Sequence, residues 1–151
     1  MKILSMPAGT SAKRYFYNRG TWGYAYETPG SYTRSGTPVT VAAILSTNKY
    51  THPVTNTAGG TALGTVSAVD LTDFSTLHAI VKGISSNASY YGFVGVTSTK
   101  ELSGSVAANV ISTSEYELTV DVSGLTGNYN IFTSTNPNLN MSFEVYEIWF
   151  D

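Results

Sequence analysis

Residues Tyr116 to Val122 alternate strictly, with Tyr116, Leu118, Val120 and Val122 on one parity and Glu117, Thr119 and Asp121 on the other. A side-chain period of two fits an extended strand with one face buried and the other in water, and it cannot be laid onto a helix, whose faces recur every 3.6 residues. Comparable runs of β-branched and aromatic residues recur along the chain, broken at short intervals by Gly, Asn, Ser or Pro. That punctuation predicts an all-β fold, an antiparallel sandwich with little helix. At 151 residues the chain has the usual size of one domain, spanning 1–151, and no repeat or heptad divides it.

Further strands are expected at Val39 to Leu45, Leu77 to Ile84, Tyr90 to Thr97 and Met141 to Phe150. In the last of these Met141, Phe143 and Val145 share a parity that Ile148 and Phe150 leave, so a bulge near Tyr146 or Glu147 is expected. Gly124 to Asn128 reads as a turn joining Tyr116 to Val122 with Tyr129 to Thr133 in a hairpin, and Asn136-Pro137-Asn138 as the following connection. Asp70 to Ser75 reads as a turn, and the stretch from Ser46 to Thr65, rich in Thr, Asn and Gly, as a long surface loop or weak hairpin. Leu118, Val120, Ile131 and Phe143 are expected in the core.

Charged residues make up 12% of the chain, about half the usual quarter. With 8 Lys and Arg against 10 Asp and Glu, the net charge of -2 offers no basic surface to nucleic acid or anionic membrane, and neither is expected as a partner. No apolar run approaches a membrane span, and the first residues are too short in apolar length for a secretory signal, so no export by that route is expected. The absence of cysteine removes disulfides and thiolate chemistry.

Catalysis is not expected. His52 and His78 lack a spaced partner, so no metal is assigned to either. Glu117 and Glu144 are the best-placed carboxylates for glycoside hydrolysis, but both fall on parities read as solvated, and no Gly-x-Ser-x-Gly elbow is present. Asp70, Asp73 and Asp151 could meet around Ca²⁺, but three acids without a recognisable loop do not specify it. No cofactor is expected.

The densest recognition chemistry lies between Tyr15 and Arg34. Trp22, Tyr24, Tyr26, Tyr32 and Arg34 lie among Gly20, Gly23, Pro29 and Gly30, where regular strand is uncertain. Exposed rings beside an arginine suit a glycan or protein surface, so these five are the candidate ligand-binding residues. The competing reading is that Trp22, Tyr24 and Tyr26, which share one parity, are core. Tyr50, His52, Tyr90 and Tyr91 are the second choice of site.

Four phrases, taken together, carry a family resemblance: Val69-Asp70-Leu71-Thr72-Asp73-Phe74-Ser75-Thr76-Leu77, Tyr91-Gly92-Phe93-Val94-Gly95-Val96, Leu118 through Tyr129, and Val145-Tyr146-Glu147-Ile148-Trp149-Phe150. Residues 69–151 thereby resemble a domain of tail and other structural proteins of bacteriophages that infect Gram-positive bacteria. The resemblance implies a jelly-roll-like antiparallel β-sandwich akin to carbohydrate-binding sandwiches. It further implies a non-enzymatic module of the virion, in a tail, baseplate, fibre or capsid decoration, with a host-surface glycan and other virion proteins as partners, and assembly as a homo-oligomer such as a trimer. A decoration protein with no glycan ligand is the alternative, and a polysaccharide hydrolase the third reading.

Overall fold

The computed structural model describes residues 13–87, 89–137 and 140–151, and no helix occurs among them. In chain order the strands are β1 Arg14–Asn18, β2 Thr21–Trp22, β3 Tyr26–Glu27, β4 Thr33–Arg34, β5 Thr37–Pro38, β6 Val41–Ala42, β7 Ile44–Leu45 and β8 Tyr50–His52. They continue as β9 Thr61–Thr65, β10 Val69–Asp70, β11 Thr76–Ser85, β12 Gly92–Thr97, β13 Val106–Val110, β14 Tyr116–Asp121, β15 Asn128–Thr135 and β16 Ser142–Phe150. One sheet has the order β14-β11-β16-β1-β2, with β8 also on β16 and β7 beside β8. The other has the order β13-β12-β15-β9-β3, with β10 on β15 and β6 on β9. Among the described residues every pairing is antiparallel except the short one between β6 and β9 and an isolated bridge between Thr33 and Glu101. The chain is thus a jelly-roll-like sandwich in one domain.

Alternation builds the core. Leu77, Ala79 and Val81 of β11, Leu118 and Val120 of β14, and Ile148 and Phe150 of β16 meet Leu63, Val94, Val96 and Ile131 of the opposite sheet in one buried cluster. On β14 the other parity, Glu117, Thr119 and Asp121, is exposed as expected. The register of β16 slips between Glu147 and Val145 opposite Ile80 and Val81, which makes Tyr146 the extra residue and reconciles the two parities. A matching slip at Phe16 in β1 lets consecutive Phe16 and Tyr17 both turn inward. Leu118 is buried on an edge strand that can relax, so Leu118→Ala is expected to lower stability by about 2 kcal/mol, the low end for a leucine truncation. A loss under about 0.5 kcal/mol in urea denaturation would mean that this face is not core.

The structure corrects several expectations. Tyr116 to Val122 and Tyr129 to Thr133 do not form a hairpin, because β14 pairs with β11 in one sheet and β15 with β12 and β9 in the other. Their connection is too long for a tight turn. It crosses the sandwich, with Leu125 packed on the core and the Gly127 carbonyl accepting from Leu71 N–H at 2.9 Å. The stretch from Ser46 to Thr65 is not a surface loop: it carries β8 and β9, and all five residues of β9 are buried. Val39 to Leu45 breaks into short pieces, with Val39 buried and Ile44 and Leu45 exposed. Glu144 is not solvated. It is buried, ion-paired with Lys49 and accepts the Tyr146 hydroxyl at 3.0 Å. Asn138, in the expected connection after Asn136, lies outside the described residues.

Candidate functional site

The outer face of the second sheet is partly covered by a flap. Tyr32 to Val39 folds back as the β4–β5 hairpin, turning through Ser35 and Gly36 at φ 49° and 77°. Both positive angles fit a type I′ hairpin turn, in which Gly36 costs nothing in sterics. Beneath the flap lies a second, smaller core of Tyr32, Val39, Ala62, Leu102 and Phe132, with Phe93 at its margin.

Glu101 ties the flap down. Its carboxylate accepts the Thr33 hydroxyl at 2.7 Å, Ser35 N–H at 2.6 Å, Gly36 N–H at 3.1 Å and Ser103 N–H at 3.0 Å. Partial burial alone would raise its pKa, but these donors outweigh it and hold the group at about 2. Lys100 adds bonds of 2.9 Å to Glu27 and to the Ser31 hydroxyl. Burial would likewise raise Glu27, and the Lys100 pair and the Ser31 donors bring it below the usual carboxylate range.

Arg34 projects from this flap onto the sheet. It donates from Nε to the Gly59 carbonyl at 3.1 Å and from Nη2 to the Ser134 hydroxyl, and its guanidinium carbon lies 5.7 Å from the Phe93 ring centre. Burial lowers its pKa, and the charge of Glu101 opposes that, but an arginine stays protonated. In front of it opens a cavity of about 280 Å³ lined by Phe93, Phe132, Leu102, Ala107, Asn109 and the Ser103–Ser105 turn. Asn109 stands opposite Phe93, and Phe93 opposite Ser134, so one cross-strand row supplies amide, ring and hydroxyl. In the next row Gly95 lies between Ala107 and Phe132. The volume is near the lower limit of small-ligand pockets, and its lining is mostly polar, with apolar surface from Phe93 and Ala107.

Of the five candidate residues, Arg34 alone lines this cavity. Tyr32 is fully buried, with its hydroxyl donating to the Thr65 carbonyl at 2.9 Å, so its ring supports the flap from below. Trp22, Tyr24 and Tyr26 lie elsewhere, around an open depression where the edges of the sheets approach, since Trp22 pairs with Tyr17 and Tyr26 with Thr65. Trp22 stacks on Tyr26 with ring centres 3.7 Å apart, and all three rings pack against the main core. The three rings are half-buried, so each packs on the main core with one side and meets the depression with the other.

Among the second-choice residues, Tyr50 and His52 are wholly buried, and Tyr90 touches the Phe93 ring at 5.4 Å. Tyr91 packs on the main core. Phe93, Leu102, Ser103 to Ser105, Asn109 and Phe132 were missing from the expected site. One signal was available for Phe93: it is the aromatic residue on the parity opposite to core Val94 and Val96.

No group of three or more His, Asp or Glu side chains placed to hold a metal occurs among the described residues. The Asp70 carboxylate instead accepts the N–H and hydroxyl of Thr72, and Asp151 lies 3.0 Å from His78 Nε2. Glu117 stands opposite Ile80 and Glu144 opposite Lys82, on different sides of β11. No protein-family model matches the chain, and no curated protein matches it.

Proposed function

We propose that the chain is a non-enzymatic module of a bacteriophage virion that binds a host-surface glycan in the cavity in front of Arg34. The observation that carries the binding reading is the anchored arginine over Phe93, facing a largely polar cavity in which Phe93 and Ala107 supply apolar surface and Asn109 and the Ser103–Ser105 turn supply polar groups. A saccharide needs that combination: an apolar surface for the C–H face of the ring, and fixed donors and acceptors for its hydroxyls. The virion setting is supported by the four phrases of residues 69–151 that resemble phage structural proteins.

Ala107 is exposed on the cavity's wall, and β13 is an edge strand, so Ala107→Trp fills the cavity without touching the core. Wild-type protein is expected to be retained on purified Gram-positive cell walls or on a glycan array, Ala107→Trp to lose at least tenfold of that retention, and its melting temperature to stay within a few degrees. No retention by the wild type, or full retention by Ala107→Trp, rejects the reading.

A structural role without a glycan is favoured by a different observation. Ile44 and Leu45 are 57% and 45% exposed side by side on edge strand β7, and Ile111 is 65% exposed. Adjacent apolar residues on an unpaired edge are suited to contact with another virion protein or another copy. Light scattering that gives an oligomer for the wild type, and a monomer for Ile44→Lys, supports assembly through that edge, whereas a monomer for both counts against it.

A further inference from the structure

We infer that the ligand presents a carboxylate to Arg34, so that the saccharide read in this cavity is an acidic one, such as a uronic acid; this rests on the glycan-binding reading above. The lysine and arginine ion pairs among the described residues involve Arg19, Lys49 and Lys100, and Arg34 has none. Arg34 is nonetheless half-buried. The charge of Glu101 offsets part of the cost of withdrawing this cation from water, and with no acid in direct contact the rest is offset when an anion arrives.

The acid on the neighbouring strap, Glu101, is committed elsewhere. Its Oε1 takes Ser35 N–H and Ser103 N–H, and its Oε2 takes Thr33 and Gly36. The two bonds that Arg34 does make go to neutral acceptors, the Gly59 carbonyl and the Ser134 hydroxyl. They fix the guanidinium in place without neutralising it, and they leave Nη1 with no acceptor among the described residues. Asn109 likewise makes no side-chain hydrogen bond among them and faces the same cavity.

A preorganised guanidinium with free N–H groups is the side chain best matched to a planar carboxylate, to which it gives charge-assisted bonds. A neutral hydroxyl would accept one such bond but add no charge beyond that of Glu101, which does not touch the guanidinium. A single cation in a small cavity also suits a monoanion better than a dianionic phosphate. The half-exposed Phe93 ring and the exposed Ala107 methyl group then take the sugar ring.

The test is a set of NMR titrations following the Asn109 side-chain amide and the Arg34 Nε–H. The probes are methyl glucuronide and methyl galacturonide, the matching neutral methyl glucoside and galactoside, and inorganic phosphate. The uronates are expected to bind at least tenfold more tightly than their neutral counterparts and more tightly than phosphate, with the advantage shrinking in high salt and lost in Arg34→Met. Equal binding of uronates and neutral glycosides overturns the carboxylate while leaving glycan binding intact, and tighter binding of phosphate overturns it in favour of another anion. No response to any probe overturns it as well, and the cell-wall and Ala107→Trp experiment then decides separately whether the cavity binds glycan at all. The wild-type comparison needs no variant, so a destabilised Arg34→Met does not blunt the test.

Discussion

Acid is expected to destabilise this fold through His52 from pH 6.5 downward, beginning above the range in which carboxylates titrate and reaching about 4 kcal/mol by pH 3. His52 is wholly buried between the sheets. Its Nδ1 lies 2.6 Å from the Thr61 hydroxyl and its Nε2 2.8 Å from the Thr133 hydroxyl, which also meets the Tyr50 hydroxyl at 2.9 Å. Thr61 passes the chain on to Thr135 at 2.7 Å. Hydroxyls can serve a neutral imidazole as donor or acceptor, but no carboxylate is present in this network to balance an imidazolium, and burial drives the His52 pKa down from 6.5 to about 3.

In the unfolded chain the same imidazole takes its proton near pH 6.5. The contribution of His52 is therefore complete above that value and is lost as the pH falls through the window between 6.5 and 3. Roughly 2 to 3 kcal/mol of the loss falls between pH 6.5 and 4.5, above the range in which unfolded carboxylates protonate. Urea denaturation at pH 7, 5.5 and 4.5 measures it. His52→Gln should be weaker at neutral pH, because one ring-nitrogen bond is gone, yet nearly flat across the window. A wild-type curve as flat as the variant's would show that His52 is charged or accessible in the native state.

The face that water sees on β14, the core of β11 and β16 and the bulge at Tyr146 were legible because large apolar residues announce their own parity. What escaped was carried by small and polar residues. Thr61-Ala62-Leu63-Gly64-Thr65 has the composition of a loop, and it becomes an inner strand because its threonines are satisfied inside the protein, Thr61 by Thr135 and Thr65 by the Asn130 amide and Ile131 N–H. Glu144 looked solvated because parity says nothing of Lys49, which reaches it from a segment far away in sequence. The supposed hairpin failed for a related reason: alternation fixes which side of a strand is buried but not which sheet the strand joins. At the site, Arg34 was legible as a cation among aromatics. Its neighbours were not, because Phe93, Asn109 and the Ser103–Ser105 turn come together only through strand pairing and the flap.

Gly64 holds that flap to the sheet, and Gly64→Ala is expected to cost about 3 kcal/mol. A Cβ at this position would come within 2.2 Å of the Tyr32 hydroxyl and 2.5 Å of the Ile131 carbonyl oxygen. The carbonyl belongs to the paired strand β15, and the tyrosine is fully buried, so neither neighbour yields cheaply. Relief requires Tyr32 to lift. That breaks its bonds to the Thr65 carbonyl at 2.9 Å and the Ile131 carbonyl at 3.3 Å, and it opens the small core under the flap. Overpacking of this kind and loss of a buried hydrogen bond each cost about 1 to 3 kcal/mol, and for a chain of this length the sum lowers the melting temperature by roughly 10 °C. The double variant Tyr32→Phe with Gly64→Ala tests the mechanism in part, because removing the hydroxyl removes the closest clash and leaves those with the Tyr32 Cζ at 2.6 Å and the Ile131 carbonyl oxygen at 2.5 Å. The pair should be about 1 kcal/mol less destabilised than the sum of the single changes. A Gly64→Ala protein as stable as the wild type, or strict additivity in that cycle, would mean that Tyr32 does not rest on Gly64 in solution and that the flap presenting Arg34 is held by Glu101 and Lys100 instead.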